Sequence, residues 1–328
     1  MEVKRIEDKD LWDRSIETSP YGTLFHKWDF LKIMEKYSGC ELFTYGIYRK
    51  EELSCQFPLF VKSSLGIKMA FSPPPGLPVT DLGFAMGPVY DKLKQRRKET
   101  YINSILDDME AEIKKIPAKF VHISTVNGFV DMRPYKWNGY DVQMHYTYAI
   151  DLNRPLEMIE EGMDGELKQL IRAAENRRLS IRPEPDFDVA FRTMRDLYGR
   201  QGEAPPIAIP AFLKDAAAAF PDNIRIDYLY DGDQIVDMAV NYRYKDRFVL
   251  WIWNAGAGLQ YSGYMAWEYI KVNKAKGLCT LEIPGASLKM SSILGSKLNA
   301  SLVYNFSITK KDLIGGIAEK FYRNSVKT

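Results

Sequence analysis

Cysteine is scarce in this chain. Its 328 residues hold three, Cys40, Cys55 and Cys279, far apart in sequence. That number and spacing build neither a disulfide framework nor a CxxC metal site, and a reducing cytoplasm is the expected compartment. The three histidines, His26, His122 and His145, share no ligand-like spacing with one another or with cysteine, so no metal site is expected. No stretch approaches the roughly 18 uninterrupted apolar residues of a transmembrane helix, and none is expected. The opening "MEVKRIEDKDLWDR" is charged from its second residue and lacks the apolar run of a signal peptide. An excess of one charge is missing too, with 45 Lys and Arg against 43 Asp and Glu. A nearly neutral chain has no global field for nucleic acid; no DNA partner is expected, and any RNA contact must rest on local patches. Gly-x-Ser-x-Gly, Walker A and Rossmann fingerprints are also absent.

Aromatic side chains, in contrast, are plentiful: 20 Tyr, 16 Phe and 6 Trp. They fit either an aromatic core or an aromatic-lined groove for an extended substrate. The length suits two domains of about 150 residues each. The 46% apolar and 27% charged fractions are those of a globular chain.

Periodicity gives a mixed α/β order. "HKWDFLKIMEKYSG" reads as a helix stopped by Gly39, and "ELFTYGIYRKEELSCQFPLFVKS" as a hairpin turning at Arg49–Glu52. The proline-rich Phe71–Pro88 segment reads as a long loop, Asp91–Ile116 as an amphipathic helix and "AKFVHIS" as a strand. After a strand over Tyr140–Leu152 come a short helix, a helix over Asp164–Arg178, and two further helical segments. "NIRIDYLYDGDQIVDMAVNYRYKDRFVLWIWNAG" reads as a three-stranded meander turning at Asp231-Gly232 and Lys245-Asp246. A helix ending at Gly277 and strands at "CTLEIPG" and "ASLVYNFSI" close the chain. Each half thus has a meander, a long helix and a further strand, and a cut near residue 150 gives domains 1–150 and 151–328.

Several motifs in that order resemble the FemAB-like branch of the GNAT acyltransferase superfamily. They are "YTYAIDL" followed by "LKQLIRAAENRRLSIRPE", then "MAWEYIKVNKAKGLCTLEIPGA", with "SSILGSKLNASLVYNFSI" as a Lys- and Gly-containing closing turn before the last strand. "SPYGTLFHKWDFLKIMEKYSG" resembles the family's opening, so the resemblance spans nearly the whole chain. It implies two tandem GNAT-like domains, each a mixed, mostly antiparallel sheet flanked by helices. It also implies transfer of an acyl or aminoacyl group to an amine without a tightly bound cofactor. The donor is acyl-CoA or, in cell-wall FemAB-type enzymes, aminoacyl-tRNA. The acceptor is a small-molecule or peptide-like amine.

GNAT enzymes seat the CoA pyrophosphate on a Gln/Arg-x-x-Gly-x-Gly/Ala turn before the central helix, where backbone amides and the helix dipole favour an anion. The nearest register here is Gln260-Tyr-Ser-Gly263-Tyr-Met265, with Met265 in place of the small final residue. Gln260 and Gly263 are therefore donor-binding candidates, as are Lys289 and Lys297 in the closing segment, and Arg172 and Arg177. The last two belong to a basic run with Lys168, Arg178 and Arg182. The resemblance places an oxyanion-binding N–H where two central strands splay, at Trp251 to Asn254 opposite Leu281 to Ile283. Glu282 is the candidate proton acceptor, and Asn254 and Tyr264 are candidates for the acceptor groove. Each of these residues also has a plain structural reading as packing, turn or solvated surface. A GNAT fold that only binds a ligand or partner is the alternative to an enzyme.

Overall fold

A strand, β1 (Glu2–Arg5), opens the computed structural model, which describes residues 2–64, 66–129, 131–183, 186–199, 210–253, 258–286, 289–317 and 319. Helix α1 (Lys9–Thr18) starts where the Asp8 carboxylate accepts the Leu11 N–H at 3.0 Å, and buries Trp12 and Ile16. Helix α2 (Trp28–Ser38) stops as expected at Gly39, whose φ of 64° is left-handed. The expected hairpin follows as β2 (Glu41–Arg49) and β3 (Glu52–Ser64). Next come β4 (Ile67–Ser72), β5 (Ala85–Met86), α3 (Gln95–Lys115), β6 (Phe120–Ser124) and α4 (Arg133–Trp137).

The proline-rich segment differs from its reading as wholly irregular. Phe71 and Ser72 finish β4, and Met86 and Ala85 pair with Cys55 and Gln56. The prolines cluster over Pro73–Pro78 and leave the backbone donors from Gly83 on free to pair. The long helix begins at Gln95 rather than Asp91, after a 3₁₀ turn over Tyr90–Lys92.

The later chain forms β7 (Asp141–Asp151), α5 (Leu156–Gly162), α6 (Gly165–Asn176), β8 (Ser180–Pro183), α7 (Phe187–Gly199) and α8 (Pro210–Ala219). The meander is β9 (Ile224–Asp231), β10 (Gln234–Tyr244) and β11 (Arg247–Trp253). Then follow α9 (Leu259–Ala275), β12 (Thr280–Ile283), α10 (Lys289–Lys297) and β13 (Ser301–Lys311). The closing segment expected as a turn is therefore a helix, α10, because "KMSSILGSK" carries no residue that breaks one apart from Gly295. That glycine is required by packing, since a Cβ there would lie 2.2 Å from the Tyr148 ring.

By contacts the chain divides into two units, one running to Met144 and resuming at Tyr304, the other His145–Val303. The resumption follows from strand pairing, because Ser307–Lys311 of β13 pairs with Ser124–Phe120 of β6. The first unit's sheet has the order β1-β2-β3-β4-β6-β13. Among its described residues β4 and β6 run parallel and the other neighbours antiparallel, and α3 is the crossover between the parallel pair. The second unit has β7-β12-β11-β10-β9-β8, with β11 and β12 parallel, the rest antiparallel, and α9 as the crossover. Each unit has its own apolar core, one built on α3 with Phe57, Phe84 and Phe129, the other on α9 with Leu167, Phe248 and Leu281. The fold is α/β, and within each unit the strands form a mixed, mostly antiparallel array flanked by helices.

Candidate functional site

The parallel pairing of β11 with β12 covers Arg247↔Thr280, Phe248↔Leu281 and Val249↔Glu282. Beyond that point β12 ends at Ile283 while β11 runs on to Trp253. Glu282 is the last residue of β12 paired with β11, at the point where the two strands part. Its neighbours Leu281 and Ile283 are fully buried in the core under α9, so strand alternation puts Glu282 on the opposite face. Its side chain is 12% exposed, and the Arg247 guanidinium lies 3.6 Å away.

Helix α9 starts at Gly258, whose φ of 96° and ψ of 149° form a conformation that only glycine adopts without strain. The first N–H groups of any helix have no intrahelical acceptor, and together with the dipole they favour an anion. Gln260 is exposed in this first turn. Arg177, just past α6, comes to the same end: its guanidinium lies 5.9 Å from the Tyr261 ring and ion-pairs with the Asp231 carboxylate.

One residue at this end escaped sequence reasoning. Asp237 of β10 is 2% exposed; its carboxyl accepts the Met238 N–H at 2.7 Å and the Ser262 hydroxyl of α9's first turn at 3.2 Å. Burial pushes its pKa up to about 8. A signal was present: an acid between Val236 and Met238 inside an apolar strand is out of pattern. A register shift between Ile235 and Asp237 obscures the alternation that would have flagged it.

The other candidates disperse. Gly263 is not the turn glycine. It is the fifth residue of α9, and a Cβ there would lie 2.5 Å from Leu167 Cδ1, so its lack of a side chain lets α6 cross α9 closely. Met265, which could have crowded an anion, is buried in the core. The Tyr264 hydroxyl donates to the Leu179 carbonyl at 3.2 Å and ties α9 to the chain after α6, away from any open groove. Arg172 is exposed, 4.0 Å from Glu160, on a cavity of about 250 Å³ that Lys168, Glu175, Trp267 and Lys271 also line. Lys297 is held by Asp164 at 2.7 Å and Glu166 at 2.8 Å. Lys289 is the first residue of α10; its side chain lies outside the described residues, as does Asn254 entirely. The structure thus gathers Gln260 and Arg177 at the head of α9 and sets Glu282 at the opened strand pair. It leaves Arg172, Tyr264 and Gly263 elsewhere.

Residues 163–282 match the family model of the acetyltransferase (GNAT) domain. That span runs from α6 through Glu282. No curated protein sequence matches the chain. Among solved structures, FemX is similar in fold with a TM-score of 0.68 at 11% identity, over 93% of this chain and 97% of that one. L-PGS from Bacillus licheniformis has a TM-score of 0.56 at 12% identity, over 95% of each chain. The C-terminal domain of a putative lysylphosphatidylglycerol synthetase from Agrobacterium fabrum has 0.57 at 9% identity, over 94% of each. Residues 163–282 thus resemble a GNAT acetyltransferase domain, and the fold of the chain is similar to that of FemX.

Proposed function

We propose that the chain is an N-acyltransferase that moves an acyl or aminoacyl group from an activated donor to an amine. One observation carries the reading. The parallel pair β11–β12 opens after Val249/Glu282, and α9 starts at Leu259, soon after β11 ends at Trp253, so a strand edge that β12 leaves unpaired is followed closely in the chain by a helix N-terminus. Donor phosphate would sit at the head of α9 beside Gln260 and Arg177. The scissile carbonyl would lie against the freed N–H groups of β11, where a preorganised donor stabilises the oxyanion.

The amine nitrogen then attacks the carbonyl carbon. A tetrahedral intermediate forms, the C–S bond of a thioester or the C–O bond of an ester breaks, and the departing thiolate or alkoxide takes up a proton. Glu282 is the group proposed to accept the proton that the attacking nitrogen loses. Asn254 and Lys289 keep the roles that the family resemblance implies, in the acceptor groove and at the donor. The donor is acyl-CoA or aminoacyl-tRNA; the acceptor is a small-molecule or peptide-like amine. Among the described residues no helix is long and apolar enough to cross a membrane.

The test is a thermal-shift titration with CoA, acetyl-CoA and aminoacylated tRNA, each at rising salt. A ligand at 100 times its Kd adds about 2.7 kcal/mol to folding stability. A shift with CoA places its pyrophosphate at the head of α9 if Gln260→Glu abolishes it. A salt-sensitive shift with tRNA that charge reversal at Arg172 and Arg177 removes assigns the donor to the basic run. No shift with any of them favours a GNAT fold that binds without catalysing.

A further inference from the structure

At the opposite end of α9 the core of the second unit turns polar. Asp227 of β9 is 0% exposed, and its carboxylate accepts from the Tyr269 hydroxyl at 3.0 Å, the Asn241 amide at 3.1 Å and the Arg225 guanidinium at 2.9 Å. Strand register explains the grouping. Arg225 and Asp227 alternate onto one face of β9, Asn241 lies opposite Arg225, and Arg243 follows Asn241 onto that same face of β10. Lys276 is the C-cap of α9, the helix that brings Tyr269 to Asp227.

Arg225 already neutralises this carboxylate, so Arg243, on the same face, and Lys276, at the end of α9, add positive charge that it does not balance. The Arg243 guanidinium makes no hydrogen bond or ion pair among the described residues, and the Phe248 ring lies 5.8 Å from it. Its backbone is fixed by a reciprocal pair of hydrogen bonds with Asn223, at 2.9 Å and 2.8 Å. Desolvation, and after it the charge of Arg225, lower the pKa of Arg243; the charge of Arg243 is the main cause lowering that of Lys276. Crowded like charges of this kind are relieved by an anion between them.

We propose that Arg225, Arg243 and Lys276 form a second anion site, for a phosphate group of a small-molecule ligand, at the end of α9 remote from the donor turn. Arg225 is held in place by Asp227, Arg243 presents its planar fork of donors, and Lys276 adds a mobile point charge. The site does not depend on the donor reading, since it shares no side chain with Gln260, Arg177 or Glu282.

The experiment is calorimetric titration of the full chain with inorganic phosphate and with pyrophosphate. Wild type should bind at least one of them at millimolar concentration or below. Arg243→Gln should weaken that binding about tenfold or more, and Lys276→Gln by less, with both variants melting where wild type does. Gln260→Glu, at the other end of the helix, should leave the part of that binding that Arg243→Gln removes unchanged. Tighter binding of pyrophosphate would identify a diphosphate ligand, and equal binding a single phosphate. No heat with either anion, or unaltered binding in Arg243→Gln, overturns the proposal.

Discussion

The two units solve the same topological problem and finish it differently. Each has a parallel strand pair bridged by a helix, β4–α3–β6 in the first and β11–α9–β12 in the second. In the first, the chain leaving β4 doubles back into the gap beyond the pair. Leu82 bridges Thr125 in parallel, its N–H donates to the Ser124 carbonyl at 2.9 Å, and the Gly83 N–H reaches the Ser72 hydroxyl at 3.1 Å. Phe84 then stacks on Phe57 at 4.7 Å and Phe129 at 5.6 Å. Helix α3 begins only after this detour, with Lys94 as its N-cap and no glycine there. In the second unit β11 outruns its partner, and α9 begins at a positive-φ glycine. Among the described residues the same strand order thus gives a plugged end in the first unit and no such plug in the second, which is why function has to be argued from the site rather than the fold.

Breaking the plug is the largest perturbation. Phe84→Ala removes a fully buried ring and should cost about 3–5 kcal/mol in urea unfolding. If the second unit alone holds the donor, any ligand-induced stabilisation keeps its size in that variant; its disappearance from a still-folded protein would move the donor to the first unit. Asp237 offers the next largest effect. Its folded pKa of about 8 lies above the ordinary 3.8, so the folded state keeps a proton that the unfolded state gives up. Stability must therefore fall as pH rises from about 4 to about 8, by at most roughly 1.4 kcal/mol per pH unit. Asp237→Asn, which can still pair with Ser262 and Met238, should flatten that slope in melts taken between pH 5 and 8. An unchanged slope would mean that the carboxyl is ionised in place.

The sequence carries the element order well because its punctuation is strong: Gly39 ends α2, Asp231-Gly232 turns the meander, and the apolar spacing of α3 is unambiguous. The family resemblance adds two tandem domains, each a mixed, mostly antiparallel sheet flanked by helices. The site is less legible, for physical reasons that differ by residue. Gly263 sits in the motif register, yet what forbids a side chain there is Leu167, almost a hundred residues away, and no local pattern reports such a contact. Tyr264 and Lys297 have polar ends that match a ligand-binding role, and each is consumed by a partner distant in sequence. Asp237, Asp227 and Asn241 are polar residues in strand interiors, and composition alone does not separate a buried acid from an edge-strand gatekeeper.

Gly263→Ala decides between the packing and anion readings of that glycine. Replacing a helical glycine normally adds up to about 1 kcal/mol of stability. Here the new methyl would meet Leu167 Cδ1 at 2.5 Å, and Leu167 is itself fully buried, so overpacking of about 1–3 kcal/mol should win. Combining it with Leu167→Val should recover part of that loss, a coupling that independent sites do not show. A stabilised single variant would return Gly263 to the list of donor-binding residues.

The smallest effect is the most pointed one. Gln260→Glu places a carboxylate in the exposed first turn of α9, where it complements the helix dipole and should raise intrinsic stability by about 0.3–1 kcal/mol. The same charge faces any phosphate bound at the helix head and should weaken CoA binding about tenfold, or roughly 1.4 kcal/mol. The two effects have opposite signs and are read in one thermal-shift series, without and with ligand. A variant that is more stable alone and less stabilised by CoA puts the donor at the head of α9. A variant that gains stability and binds CoA as wild type does would show that the head of α9 is not where the donor's phosphate rests.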